Sequence, residues 1–111
     1  MKKLFQNYNF DFTKNEKKLI STFCKQSLRQ MEGDNKFYSE SKAINSILDK
    51  LGQTEGTIKL TKDEKTRLTF QLKQNVEQIK KQMEKSWFIK KWLMKSLYTQ
   101  YSNLLETHFK N

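Results

Sequence analysis

Residues 86–101 read SWFIKKWLMKSLYTQY, and they lie within a stretch, residues 57–111, that contains neither glycine nor proline. Because these two residues are the strongest helix breakers, we predict that this half of the chain is mostly helical. The apolar face changes direction around residues 85–89, which favours a break between two helices with Ser86 as the cap of the second. One continuous helix over residues 62–110 is the alternative, and it would be roughly 70 Å long.

The N-terminal half predicts two short strands and two more helices. Alternating apolar and polar residues indicate strands over residues 5–12 and 57–61, which we expect to pair as a ribbon. Thr-Lys-x-Glu sequences, residues 13–16 and 61–64, have capping-box spacing and predict helix starts just after each threonine. The first helix should run from about residue 14 to residue 32 and stop at Gly33. The second should be capped by Ser39 or Ser41 and end at Gly52.

These elements predict a mainly α protein. We expect a four-helix bundle-like single domain over residues 1–111, with the short two-stranded ribbon packed on one side. Helical spacing identifies a candidate core: Leu19, Phe23, Ile44, Ile47, Leu72, Ile79, Leu97 and Tyr101.

The charge predicts an acidic partner. The chain has 111 residues, 22 Lys and Arg against 12 Asp and Glu, a net charge of +10 and a pI near 9.7. Such a surface favours nucleic acid, anionic lipid or an acidic protein. Only Arg29 and Arg67 are arginines. Because lysine lacks the bidentate geometry that reads bases, we expect any binding to nucleic acid to be weak and without sequence preference.

The inventory of reactive side chains predicts a protein that is not an enzyme. There is one histidine, His108, and one cysteine, Cys24, so the three or four ligands of a zinc site are not at hand. No glycine-rich phosphate loop is present. We predict that Cys24 is a buried, unreactive thiol and His108 a partly buried histidine, and we assign no catalytic residue, metal ligand or cofactor.

The expected compartment follows from cysteine usage and hydropathy. A single cysteine cannot form an intramolecular disulfide, which suits a reducing environment. No apolar run is long enough for a signal sequence or a transmembrane segment. We therefore expect a cytoplasmic protein, for which peripheral contact with a membrane remains open.

Two sets of side chains are candidate binding surfaces. Four cations share one face of the first helix; four more residues form a stripe on the last helix at spacing i, i+3, i+4 and i+7. The alternative for the cations is an ordinary solvated face. The alternative for the stripe is burial beneath Tyr8, Phe10 and Phe12, and this is what we predict for Trp92. The two sets are Lys14, Lys18, Lys25 and Arg29, and Phe88, Lys91, Trp92 and Lys95.

Three functional hypotheses follow. The first is a small basic binding protein that docks an acidic partner, either protein or nucleic acid. The second is an immunity-like or regulatory protein held at the inner membrane surface, because size, charge and helix count are similar to those of bacteriocin immunity proteins and phage-borne inhibitors. That similarity is confined to fold class. The third is a self-associating structural protein that forms a homodimer through Phe88 and Trp92.

Overall fold

The computed structural model describes residues 8–53 and 55–109 of the chain. In this part the protein is mainly α, with four helices and a two-stranded antiparallel ribbon, which confirms the predicted fold class. Residues 5–7 of the first predicted strand lie outside the described residues. The elements, in order, are β1 (Tyr8–Phe10), α1 (Lys14–Met31), a 3-10 turn (Asn35–Phe37), α2 (Tyr38–Gln53), β2 (Ile58–Leu60), α3 (Lys62–Lys85) and α4 (Phe88–His108).

Both predicted capping boxes start helices. In α1 the Thr13 hydroxyl accepts a hydrogen bond from the Glu16 amide at 3.1 Å, and the Glu16 carboxylate accepts one from the Thr13 amide at 2.8 Å. Thr61 and Glu64 repeat this exchange at the start of α3, at 3.1 and 2.9 Å. Each pair satisfies two backbone groups at a helix end or next to it.

The predicted boundaries of α2 are wrong by a few residues. Neither Ser39 nor Ser41 caps the helix, which already begins at Tyr38. Instead, the Asp34 side chain accepts a hydrogen bond from the Lys36 amide at 3.1 Å and starts a 3-10 turn that leads directly into α2. The turn follows Gly33, whose φ of 80° is in the left-handed region that suits glycine at a helix end. At its other end, α2 continues through Gly52.

The chain breaks between α3 and α4, so residues 62–110 do not form one helix. Ser86 is at the break, but its predicted role as the cap of α4 is wrong. Its hydroxyl instead donates to the backbone carbonyl of Gln82, one turn earlier, and so satisfies an acceptor in the last turn of α3. A serine hydroxyl in or next to a helix often donates to the backbone carbonyl four residues earlier. The N-cap residue of α4 is Trp87, which makes no side-chain capping bond.

The ribbon joins two segments that are distant in sequence. Tyr8 pairs with Leu60, Asn9 with Lys59 and Phe10 with Ile58. Phe10, Ile58 and Leu60 are buried while Asn9 and Lys59 are exposed, as the period-two pattern predicts. Next to the Phe10–Ile58 pair, a contact between side chains reinforces the pairing: the Thr57 hydroxyl donates to the Asp11 carboxylate at 2.7 Å.

The chain divides into two compact units, Met1–Arg67 and Leu68–Asn111. In the first unit α1 packs on α2, and α2 also contacts β2. Whether the units form one domain remains a prediction. The main buried side chains of the first unit are Phe10, Phe12, Ile20, Phe23, Cys24, Ile44, Ile47, Ile58 and Leu60; those of the second are Leu68, Leu72, Ile79, Tyr101, Leu104 and Phe109.

The predicted core is mostly confirmed. Six of its eight residues are buried: Phe23, Ile44, Ile47, Leu72, Ile79 and Tyr101. Leu19 is half-buried. Leu97 is 42% exposed, so its placement in the core is wrong. The first half of α4 is apolar around most of its circumference, and helical spacing alone therefore does not identify which side is buried.

Glu64 is a buried carboxylate that joins the start of α3 to α2, and only 6% of it is exposed. Lys50 of α2 donates to it at 2.6 Å, the Ser46 hydroxyl of α2 donates to its other oxygen, and the Thr61 amide donates at 2.9 Å. One turn later, Arg67 contacts Glu40 of α2 and Asp63. The start of α3 is thus attached to α2 by charge-assisted hydrogen bonds.

These contacts decide the protonation of Glu64. Burial by itself raises the pKa of the carboxyl group, but hydrogen bonds from Lys50, Ser46 and the Thr61 amide outweigh it, and the pKa is lowered below its ordinary value of 4.5. A lowered pKa means that the folded state favours the carboxylate. The stabilisation is therefore complete above about pH 4.5 and is lost as pH falls through the lower pKa of the folded state.

We expect Glu64→Gln to reduce the free energy of unfolding by about 1–3 kcal/mol near neutral pH, because a buried charged acceptor is lost. The loss should shrink below about pH 4.5, where wild type begins to lose the same charge. Urea denaturation at a series of pH values measures both effects. The control is Glu77→Gln, the same change at an exposed position of α3. A difference from wild type that is constant with pH would contradict this account.

Candidate binding surface

The first half of α4 exposes a group of large apolar side chains. Trp87 is 87% exposed, Phe88 85% and Trp92 69%, and three aliphatic side chains nearby are also exposed. At 100° per residue, Phe88 and Trp92 form one row and the aliphatic side chains a second row beside it. Together they cover an arc of roughly 180° over roughly 15 Å of helix. We call this surface the α4 patch: Trp87, Phe88, Ile89, Trp92, Leu93 and Leu97.

Lysines border the α4 patch on both sides. Lys91 and Lys95, four residues apart, lie beside the row of Phe88 and Trp92, and Lys90 lies beside the aliphatic row. All three are exposed, as is Lys85 just before the break. Residues 85–105 contain no aspartate or glutamate. The patch therefore combines exposed apolar area with uncompensated positive charge.

The predicted burial of Trp92 is wrong, and the stripe of Phe88, Lys91, Trp92 and Lys95 is exposed along its whole length. We expected Tyr8, Phe10 and Phe12 to cover it. Phe10 instead stacks on Phe12 with 5.2 Å between ring centroids, and the ammonium of Lys65 lies 4.5 Å from the centre of the Tyr8 ring. These aromatic side chains are accommodated while Trp92 remains exposed.

Sequence reasoning missed four of the six residues of the α4 patch. Leu97 shares a helical face with the buried Tyr101 and Leu104, and was assigned to the core on that basis; Leu93, on the same face, was not identified as a surface residue. Trp87 and Ile89 were not recognised as surface residues. One signal in the sequence pointed to them: the absence of any acidic residue from Lys85 to Leu105, which is unusual for a chain in which charged residues make up 31%.

The cations of α1 are exposed on one face, as predicted. Two of them, Lys25 and Arg29, also line an open groove of about 610 Å³ with Met31 and Tyr38. Glu32 and Asp34 line the same groove, so its charge is mixed. The set of Lys14, Lys18, Lys25 and Arg29 belongs to the first compact unit, whereas the α4 patch belongs to the second.

The reactive side chains offer little chemistry. Cys24 is fully buried, and burial raises the pKa of its thiol to about 12. His108 is half-buried, with its ring edge-on to Phe109 at 6.5 Å. Within residues 8–53 and 55–109, no cluster of three or more histidine, cysteine or acidic side chains is arranged to hold a metal ion.

No protein-family model, curated protein or solved structure matches this chain. Among the described helices, none combines the length and apolar character needed to cross a membrane.

Because Trp92 is exposed, Trp92→Ala should lower the free energy of unfolding by less than about 1 kcal/mol, the size usual for surface positions. Leu104→Ala, on the same helix but at a position that is 1% exposed, should lower it by about 2–5 kcal/mol. Denaturant unfolding followed by circular dichroism measures both. A loss of 3 kcal/mol or more for Trp92→Ala, about the size for a buried aromatic, would mean that this ring is buried in solution.

We expect the Cys24 thiol to be protected from a thiol reagent such as dithiobis(nitrobenzoate) in the native protein and to react once denaturant unfolds it. Burial excludes the reagent, and the raised pKa, about 12, keeps the thiolate scarce. The control combines Cys24→Ala with Gln26→Cys, which moves the thiol to an exposed position of α1. That variant should react rapidly while folded. Equal native rates for the two proteins would show that Cys24 is accessible.

Proposed function

We propose that this protein is a non-enzymatic binding protein that docks an acidic partner through the α4 patch. One observation carries the proposal: six large apolar side chains and four lysines are exposed within residues 85–97, a segment without a single acidic residue. Monomeric proteins rarely expose contiguous apolar area of this kind unless it contacts a partner.

The position of the apolar residues supports a contact surface. Hydrophobic residues make up only 35% of the chain, yet both tryptophans are exposed within two turns of one helix. Tryptophan is a frequent anchor of binding surfaces because it combines a large apolar area with a polar N–H. The presence of both tryptophans at one exposed site favours a role in binding a partner over a role in packing the core.

The charge of the patch determines the sign of the partner. Lys85, Lys90, Lys91 and Lys95 would be brought close to whatever covers Phe88 and Trp92. An acidic partner gains from this arrangement, and a basic one is repelled. A second copy of the chain is also disfavoured, because a symmetric contact through the α4 patch places like charges opposite one another.

Two further parts of the proposal come from the residue inventory. With one histidine at the end of α4 and one buried thiol, the chain offers poor material for acid–base or nucleophilic catalysis, and we propose that it acts by binding alone. The unpaired cysteine suits a reducing compartment, so we place this binding in the cytoplasm.

The two tryptophans provide the test, because both belong to the α4 patch and no others are present. We expect at least one of three acidic probes to shift tryptophan emission to shorter wavelength and to protect it from acrylamide: vesicles containing phosphatidylglycerol, a DNA oligonucleotide, or a poly-glutamate peptide. Phe88→Ala should weaken that binding about tenfold, by the loss of one buried aromatic contact.

The matched control is Phe70→Ala, which removes an exposed aromatic side chain outside the α4 patch and should leave binding unchanged. Sedimentation of the protein without any probe checks for self-association. Emission that none of the probes alters, or a loss for Phe70→Ala equal to that for Phe88→Ala, would contradict the proposed function.

A further inference from the structure

We infer that the acidic partner is an anionic lipid surface, into which the first half of α4 inserts its apolar side chains. The inference rests on the proposed function and specifies its partner. Three properties favour lipid over protein or nucleic acid. They are the dimensions of the α4 patch, the fact that its cations are all lysines, and the polar side chains that the same side of α4 carries after Leu97.

The dimensions fit the boundary between lipid headgroups and acyl chains. Interfacial helices bury their apolar side about 5–10 Å into this boundary. The exposed apolar arc of α4 extends for roughly 15 Å along the helix and covers about half of its circumference. A protein groove usually accepts a narrower stripe at i, i+3, i+4 and i+7. A fluid interface, by contrast, accommodates side chains across a broad arc.

The cations of the patch are all lysines. Protein interfaces are enriched in arginine and depleted in lysine. Recognition of phosphates or bases in nucleic acid relies on the bidentate hydrogen bonds of the arginine guanidinium group. Both arginines of the chain lie outside the α4 patch, and Arg67 is engaged by Glu40 and Asp63. Lysine suits a membrane surface, since its flexible stem lies along apolar material while its ammonium stays among anionic headgroups.

The position of these lysines agrees with insertion. Lys91 and Lys95 border one side of the apolar arc and Lys90 the other, so the ammonium groups flank the inserted side chains at the headgroup level. Tryptophan prefers this same level of the bilayer, with its ring in the interface and its N–H hydrated. Trp92 lies within the apolar arc, and Trp87 precedes it at the start of the helix.

The rest of α4 limits the insertion to its first half. Beyond Leu97 the same arc carries exposed polar side chains, among them Thr99, Gln100 and Asn103. The apolar region therefore forms the N-terminal end of the helix and does not continue along it. This describes partial insertion of the first turns of α4, with the helix neither spanning the bilayer nor lying flat over its whole length.

The test uses the full chain and its own tryptophans with vesicles of phosphatidylcholine alone or with about 30% phosphatidylglycerol. We expect a blue shift and protection from acrylamide only with the anionic vesicles. Lipids brominated on the acyl chains should quench the emission, because Trp92, within the apolar arc, reaches that depth. This experiment requires no variant, so it decides the inference even if a substitution disturbs folding.

Variants then locate the charge. Lys90→Gln with Lys91→Gln should weaken partitioning into anionic vesicles about 25-fold, since each lysine near the surface contributes about a factor of five. Lys14→Gln with Lys18→Gln changes the net charge equally on α1 and should weaken it less than about threefold. Raising the salt from about 0.05 to about 0.5 M should weaken wild-type binding by screening these charges.

Each outcome has a distinct meaning. Binding that is equal for neutral and anionic vesicles, or that falls equally in both double variants, would overturn the inference. Emission changes with the oligonucleotide or with poly-glutamate but not with vesicles would also overturn it, while leaving the proposed function in place. No change with any of the three would overturn both.

Discussion

The buried carboxylate of Glu64 is the contact on which the first compact unit depends. Its capping bond with Thr61 begins α3, and its contacts with Lys50 and Ser46 hold that beginning against α2. Thr61 follows β2 directly, so the same contact also orients the strand that pairs with β1. A capping residue, normally a local feature, has here become a tertiary one because it is buried and charged.

The second unit presents the opposite situation, since its most conspicuous side chains are at the surface. The first half of α4 is apolar on nearly all sides, but only a part of that circumference is covered, with Met94 and Tyr98 half-buried and Phe88 and Trp92 exposed. Exposed aromatic area in water promotes aggregation unless charge opposes it. The lysines beside the α4 patch provide that charge, and they also determine which kind of surface the patch can approach.

Charge and apolar area therefore act together in the proposed function. A basic surface without apolar side chains would bind many polyanions weakly, with an affinity controlled by salt. An apolar patch without charge would bind indiscriminately or self-associate. Under this proposal, the combination on α4 selects a partner that is both acidic and able to accept large side chains, and lipid at the headgroup boundary meets both conditions.

The sequence by itself determined the elements, because their signals are local. Thr13 and Thr61 with their glutamates located two helix starts, Gly33 one helix end, and alternation around Phe10 and Ile58 the ribbon. Tertiary structure alone decided which side of α4 is buried, because a helix apolar all round carries no dominant direction. Leu97 and Trp92 were therefore misplaced, whereas Phe23 and Ile44, on helices with one apolar face, were correctly assigned to the core. Trp92 lies on a side of α4 that stays exposed, and no spacing along α4 encodes which side that is.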